Sequence, residues 1–190
     1  MLFNLNAGFF ANLGKIFSSK EYMQMLFKGL GCTLLISVGA TIIGIILGTL
    51  VAIVKIIPSK KPIMKFLNVV CDIYTTIFRG TPMVLQAVFL YYGLPYFTDN
   101  ALKFTNIWVA AIVVVSINTG AYMAESVRGG IISIDPGQTE GAKAIGMNHV
   151  QTMLKVILPQ ALRNIIPQIG NNFIINIKDT SVMFVIGFVE

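Results

Sequence analysis

Four charged residues stand where an apolar chain has least use for them. Asp72 and Arg79 interrupt the run FLNVVCDIYTTIFRGTPMVLQAVFLYYGLPYF at 66–97, and Glu125 and Arg128 lie at the end of the run that begins at Phe104. On insertion scales a charge at the centre of a membrane helix costs about 2.5–3.5 kcal/mol. Such groups face protein or a water-filled cavity, or lie near the interface where a long side chain snorkels at little cost. For Arg128 either place fits. Glu125 belongs to a pattern: Asn118, Tyr122, Glu125 and Gly129 recur at steps of three and four and share one helical face. Arg128 follows three residues later, close enough to pair with it. A face of amide, phenol and carboxylate suits the lining of a pathway for a polar solute. Metal or triad chemistry finds little support. His149 is the only histidine, and Cys32 and Cys71 lie in or beside apolar runs, as buried thiols do.

The elements that hold these groups follow from composition and patterning. Of the 190 residues 55% are hydrophobic and only 12% charged, against about 25% in an average soluble domain. Mean hydropathy is +0.78, which together with the composition indicates a multi-span membrane protein. The net charge of +6 does not indicate nucleic acid, because the cations gather at the ends of apolar runs and no basic patch is interleaved with aromatics. From Gly29 to Val54 no residue is charged, which gives a first span at 29–54. Within it Ala40, Gly44, Gly48 and Ala52 form a stripe of small residues where a second helix can approach closely. KIIPSKKPIMK at 55–65, with four lysines and two prolines, is expected to be a cytoplasmic loop. The second span, 66–97, should kink or break near Arg79, because Pro82 lacks a backbone donor and clashes with the preceding turn. TDNALK at 98–103 reads as a polar turn on the outside. A third span covers 104–132, with Trp108 near its start as an interfacial anchor. The fourth region, 160–189, holds Asn164, Gln168, Asn171, Asn172 and Asn176, so hydropathy alone favours a buried or re-entrant segment. The N-terminal MLFNLNAGFFANLGK has no cation before Lys15, is a poor signal peptide and is expected to be retained.

Between the third and fourth regions lies a stretch of a different kind, TEGAKAIGMNHVQTMLKVILPQALR at 139–163. Asp135 can cap a helix, Pro136 fits its first position and Gln138 can reach back to the cap. That helix should run to Ile145, with Gly146 in the left-handed conformation that commonly closes a helix. Asn148, with Gln151 three residues on, can cap a second helix through Leu158. Ala142, Ile145, Val150, Met153 and Ile157 give this bracket an apolar face, and Glu140, Lys143, Gln151 and Lys155 keep it water-compatible. It is either an interfacial amphipathic helix without a partner or a docking element for a cytosolic protein.

The spacing Glu140-Gly141-Ala142, three residues, Gly146, nine residues, Val156, one residue, Leu158-Pro159 resembles the EAA loop of ABC importer permeases. The usual form has alanine at position 141 and isoleucine at 156. Together with FRGTP at 78–82, YYGLP at 91–95, GAYMAESVRGGI at 120–131, GQTEGAKAIGM at 137–147 and KDTS at 178–181, it resembles the polar amino-acid uptake permeases, which handle histidine, arginine, glutamine, glutamate or cystine. The resemblance implies an all-α polytopic membrane bundle, with about five spans in the family and about four visible here, the last family span apparently absent. It implies a multi-pass protein of the bacterial cell membrane that works with a second permease, identical or paralogous. ABC ATP-binding subunits would dock on the loop at 135–158, through Glu140, Gly141, Ala142, Gly146, Leu158 and Pro159, and an extracytoplasmic binding protein would deliver the amino acid. The chain has no GxxxxGK[ST] phosphate loop of its own, so ATP and Mg would be bound by partner subunits and this chain would be a transport subunit, not an enzyme. Residues expected near the pathway or its gate are Asp72, Thr75, Arg79, Thr81, Gln86, Asn118, Tyr122 and Glu125. The alternative is an ion- or proton-coupled secondary transporter with Asp72 and Glu125 as its protonatable groups.

Overall fold

The structure, a computed structural model, describes residue 14, residues 17–57 and residues 61–188. The expectation for the N-terminal leader, and those for Pro58 and Lys60 of the lysine-rich loop, lie outside the described residues. Those residues form helices and turns without a strand among them: α1 Lys20–Ile56, α2 Pro62–Gly80, α3 Met83–Phe97, α4 Ile107–Ile132, α5 Pro136–Ala144, α6 His149–Thr152 and α7 Leu158–Asp179, then a 3-10 turn over Thr180–Ile186.

α1 and α4 are the two described helices long and apolar enough to cross a membrane. They are packed together along the stripe of small residues. Ala40, Gly44, Gly48 and Ala52 are all buried, while Leu34, Leu35, Val38, Ile42, Ile46 and Leu50 on the other side of α1 are exposed. An apolar outer face is what lipid accommodates and water does not. The approach leaves no room for side chains: a Cβ on Gly44 would fall 2.6 Å from Thr119 Cγ2, and one on Gly48 would overlap Met123 and the backbone of Ala124. Helix association in lipid depends on such packing, because lipid tails are as apolar as leucine.

Two apolar clusters flank this contact. One joins Ile36, Ala40, Ala87, Ala110, Ala111, Val114 and Val115 to Met183, Ile186 and Phe188 of the C-terminal turn. The other joins Ala52, Val127, Ala161 and Ile165, from α1, α4 and α7. Asn176 of α7 lies in a third set of contacts, donating to Thr41 Oγ1 and accepting from Thr119 Oγ1, both at 2.9 Å. Buried amides survive in a core when their hydrogen bonds are satisfied, as these are. Trp108, expected as an interfacial anchor, packs edge-on against Phe188 at 4.8 Å between ring centroids.

Several boundaries differ from those expected, for local reasons. α1 begins at Lys20, well before the uncharged run, since Glu21, Lys20 and Lys28 are no obstacle to a helix that projects beyond an apolar layer. It also continues through Ile56, so Lys55 is helical and not part of the loop. α2 starts at Pro62, where a missing N–H is harmless. α4 starts at Ile107 because Asn106 caps it, accepting from Trp108 N at 2.8 Å. The bracket's second helix does not stop at Leu158. A π-helical turn over Met153–Ile157 carries it into α7. The same device occurs in α3, where a π-turn over Phe89–Gly93 precedes Leu94-Pro95 as the other precedes Leu158-Pro159. In both, Leu N–H bonds five residues back, to Phe89 O and Met153 O, and the chain passes a proline without breaking. The region at 160–189 holds one long helix and a turn, and that helix is not among the two described helices long and apolar enough to cross a membrane. α7 has 22 residues, about 33 Å at 1.5 Å per residue, and the turn after it folds into the apolar core.

Candidate functional site

The break after Arg79 shows why two of the expected residues have the types they have. An α-helix through this point would bond the Phe78 carbonyl to the N–H of residue 82, and Pro82 has none. α2 ends at Gly80, Thr81 and Pro82 are extended, and α3 restarts at Met83. The orphaned Phe78 oxygen accepts from Gln86 Nε2 at 2.9 Å and from Asn118 Nδ2 at 3.2 Å. Asn118 also donates to Gln86 Oε1 at 2.9 Å, and Gln86 Nε2 lies 2.9 Å from the Thr81 carbonyl. Thr81, Gln86 and Asn118 thus hold a broken helix in one geometry and fix where Arg79 points.

Around Glu125 the structure gathers five charges from three helices. Lys55 Nζ of α1 lies 2.5 Å from Glu125 Oε1 and 3.0 Å from Asp72 Oδ1, and donates to Thr75 Oγ1 at 3.3 Å. Arg128 takes the other oxygen, with Nη2 at 2.9 Å and Nε at 3.1 Å from Oε2. Arg79 Nη1 stands 3.9 Å from the same oxygen, with its guanidinium 5.6 Å above the Tyr122 ring. Glu125 and Lys55 side chains are 19% and 12% exposed, whereas Asp72 is 63% exposed. Arg128 is therefore a partner of Glu125, and its 37% exposure leaves it at the cluster's margin. Lys55 is the member that sequence reasoning missed. Its position beside two prolines and three more lysines favoured a loop, and only the helix through Ile56 brings it inward.

Beside the cluster, α2, α4 and α7 line an open cavity of about 550 Å³. Its walls include Arg79, Tyr122, Glu125, Asn164, Gln168 and Asn172. A second cavity of about 270 Å³ shares Tyr122, Asn172 and Ile175 with it and adds Thr81, Asn118, Asn176 and Asp179. Of the expected pathway residues, Arg79, Thr81, Asn118, Tyr122 and Glu125 therefore line this groove. Asp72 and Thr75 line neither cavity and brace Lys55 instead. Gln86 faces a separate apolar cavity with Ile77, Phe78 and Leu85. The amides of α7 had not been named as site residues. Their spacing, 164, 168, 171, 172 and 176, is one helical face and was the available signal.

The bracket stands at the Lys55 end of the same helices. Asp135 caps α5, accepting from Gly137 N at 2.6 Å, while Gln138 does not reach back but accepts from Gln160 Nε2 at 3.2 Å. α5 ends at Ala144, and Gly146 has φ +84°. Asn148 and Gln151 form the reciprocal cap of α6. The expected apolar face divides: Ala142 and Ile157 are buried, but Ile145 is 76% and Val150 62% exposed. Glu140, Gly141, Gly146 and Pro159 are exposed too, and Leu158 is half-buried.

A helical bundle with a lipid-compatible outer face, a polar groove and a surface bracket is the architecture of a membrane transport protein. Residues 40–188 match the family described as the binding-protein-dependent transport system inner membrane component, and the chain belongs to that family. It is 40% identical over 165 residues to the arginine transport system permease protein ArtQ of Bacillus subtilis (strain 168), covering 87% of this chain and 72% of that one. It is 39% identical over 168 residues to the glutamine transport system permease protein GlnP of Escherichia coli (strain K12), covering 88% and 74%. A crystal structure of an amino acid ABC transporter with histidines matches with a TM-score of 0.79 at 37% identity, over 88% of this chain and 74% of that one. The MetNI methionine ABC transporter shares the fold, with a TM-score of 0.69 at 22% identity.

Proposed function

We propose that this chain carries a polar amino acid through the groove between α4 and α7, as the permease subunit of an ATP-driven importer. The observation that supports this most is the cavity of about 550 Å³, walled by one exposed guanidinium and a row of amides. That lining matches an amino acid in water: Arg79 offers paired donors to a carboxylate, and carboxamide oxygens along α7 accept from an ammonium group. Relatives named for arginine and glutamine transport support a solute of the same chemical class. An ion-coupled carrier needs protonatable groups that come and go, whereas Asp72 and Glu125 are both engaged by Lys55.

The bracket is the lever. One of two ATP-hydrolysing subunits grips α5, Gly146 and α6 from the cytoplasm, where Ile145 and Val150 present apolar side chains to a partner, and the other grips the second permease. ATP and Mg stay on those subunits. Their approach pushes on α6, and because the π-turn joins α6 to α7 without a loop, the push tilts the amide-lined wall of the groove. A second permease, identical or paralogous, closes the groove's open side, and an extracytoplasmic binding protein supplies the solute. The protein is a multi-pass component of the cell membrane, with the bracket on the cytoplasmic side. Reconstitution with the ATP-binding subunits and binding protein in vesicles tests this. Uptake of labelled amino acid should need ATP and survive an uncoupler; uptake that collapses with the proton gradient and persists without ATP refutes it.

A further inference from the structure

The structure assigns Lys55 a role in selecting the solute: it occupies Glu125, the carboxylate of the larger cavity that a cationic side chain needs, so the groove takes amino acids with uncharged-polar or acidic side chains and rejects cationic ones. This rests on the function proposed above and deepens it. The ammonium of Lys55 has three protons and three acceptors, Glu125 Oε1, Asp72 Oδ1 and Thr75 Oγ1, at 2.5, 3.0 and 3.3 Å. With its side chain 12% exposed and every donor used, it is held in place. Arg128 holds the other Glu125 oxygen. Both oxygens of the one acidic wall of the larger cavity are therefore taken by protein cations. The charge left to meet a solute there is Arg79, 43% exposed and only 3.9 Å from Glu125. Counting the cluster gives three cations, Lys55, Arg79 and Arg128, against two anions, Asp72 and Glu125. Asp179 lines the smaller adjoining cavity and not this one. A carboxylate is welcome beside Arg79, an amide side chain finds partners along Asn164, Gln168, Asn171 and Asn172, and a second positive charge finds repulsion.

The test uses the permease assembled with its ATP-binding subunits in lipid nanodiscs, without the binding protein, so that the groove's own preference is read. Equilibrium binding of radiolabelled glutamine, glutamate and arginine is measured. Arginine should bind more weakly than glutamine by roughly tenfold or more. Lys55→Met removes a cation beside the groove and frees one oxygen of Glu125, and should shrink arginine's disadvantage roughly fivefold or more, while Lys55→Arg, which keeps the charge, should preserve the wild-type ratio. A purely structural Lys55 would change all three affinities together and leave their ratio alone. Arginine bound within about twofold of glutamine by the wild type overturns the assignment, and so does an unchanged ratio in Lys55→Met. Binding of none of the three amino acids overturns the underlying functional reading, and with it this one.

Discussion

α4 has two faces that could hardly be less alike. Toward α1 it presents Thr119, Gly120, Met123 and Ala124 to the glycines of the small-residue stripe, at distances that exclude a single added carbon. Toward α7 it presents Tyr122, Glu125, Ser126 and Gly129 to a cavity large enough for a small solute. The dry face has no freedom to move without losing its contacts, because dispersion falls off within a fraction of an ångström. The wet face leaves space for a solute at these residues, beside a close contact with α7 where Val127 packs in one cluster with Ala161 and a Cβ on Gly130 would fall 2.5 Å from Ile165. In the transport cycle proposed above, α1 and α4 would act as one closely packed wall and α7 would shift beside it.

The largest effect is expected where that wall is broken. Gly48→Leu drives a side chain into Met123 and the Ala124 backbone, and overpacking of this kind should cost about 3 kcal/mol or more. The expected result is loss of folded permease, read by detergent-extracted yield and thermal unfolding. By contrast, Gly129→Leu on the wet face, where an added Cβ meets nothing within 4 Å, should leave folding intact while obstructing uptake. Equal destabilisation by both substitutions would erase the distinction between the faces.

Next comes Glu125→Gln. The amide keeps the shape but removes the charge that organises Lys55, Arg128 and Arg79. Uptake should fall roughly tenfold or more, the equivalent of losing one charge-assisted contact in the transport cycle, while co-purification with the ATP-binding subunits is unchanged. If uptake is unaffected, Glu125 is a packing residue and the wet face needs no charge. If assembly fails, the cluster belongs to the closely packed wall instead.

The two faces were not equally legible in the sequence. The dry one was: four small residues at four-residue spacing can share one stripe, and lipid leaves few other reasons for them. The break at Pro82 was legible for the same reason, since a missing donor is a property of one residue. The wet face was only half visible. Tyr122 and Glu125 showed on α4 as polar residues in an apolar run, but the opposite wall was obscured because window hydropathy averages the amides of α7 with Ile165, Ile166 and Ile174 into a weak segment. Lys55 could not be placed at all, because a cation at the end of an apolar run reads the same whether it faces headgroups or turns inward to two carboxylates. Only the packing of α1, α2 and α4 decides between those. The caps at Asp135 and Asn148 were readable residue by residue, though Gln138 turned to Gln160 and not back to its cap, and the fusion to α7 was not readable, because a proline at 159 normally predicts an interruption and the π-turn removes it.

Gly146→Val tests how a push reaches the wet face. The residue has φ +84°, and a Cβ there would meet open space, so the substitution acts on backbone conformation alone. A β-branched residue in this region costs about 1–3 kcal/mol, enough to shift the α5–α6 turn without unfolding the bundle. ATP hydrolysis should persist while uptake per ATP falls several-fold. Unaltered uptake per ATP in vesicles would mean that the turn's geometry does not transmit the motion.

The smallest effect should come from Gln160→Leu. Gln160 donates to Gln138 at 3.2 Å and is the side-chain link seen between α5 and α7. It looks like the tie through which the bracket holds the moving wall. The bond is neutral, long and exposed, so water replaces it at little cost, and its net contribution should be no more than about 0.5 kcal/mol. The attachment that matters is the burial of Ala142 and Ile157, together with the continuous backbone from α6 through the π-turn into α7. Uptake and ATPase coupling in Gln160→Leu should therefore stay close to wild type. A loss as large as that of Gly146→Val would locate the lever in the α5–α7 contact and not in the continuous helix, and would make the moving wall a body steered from its side.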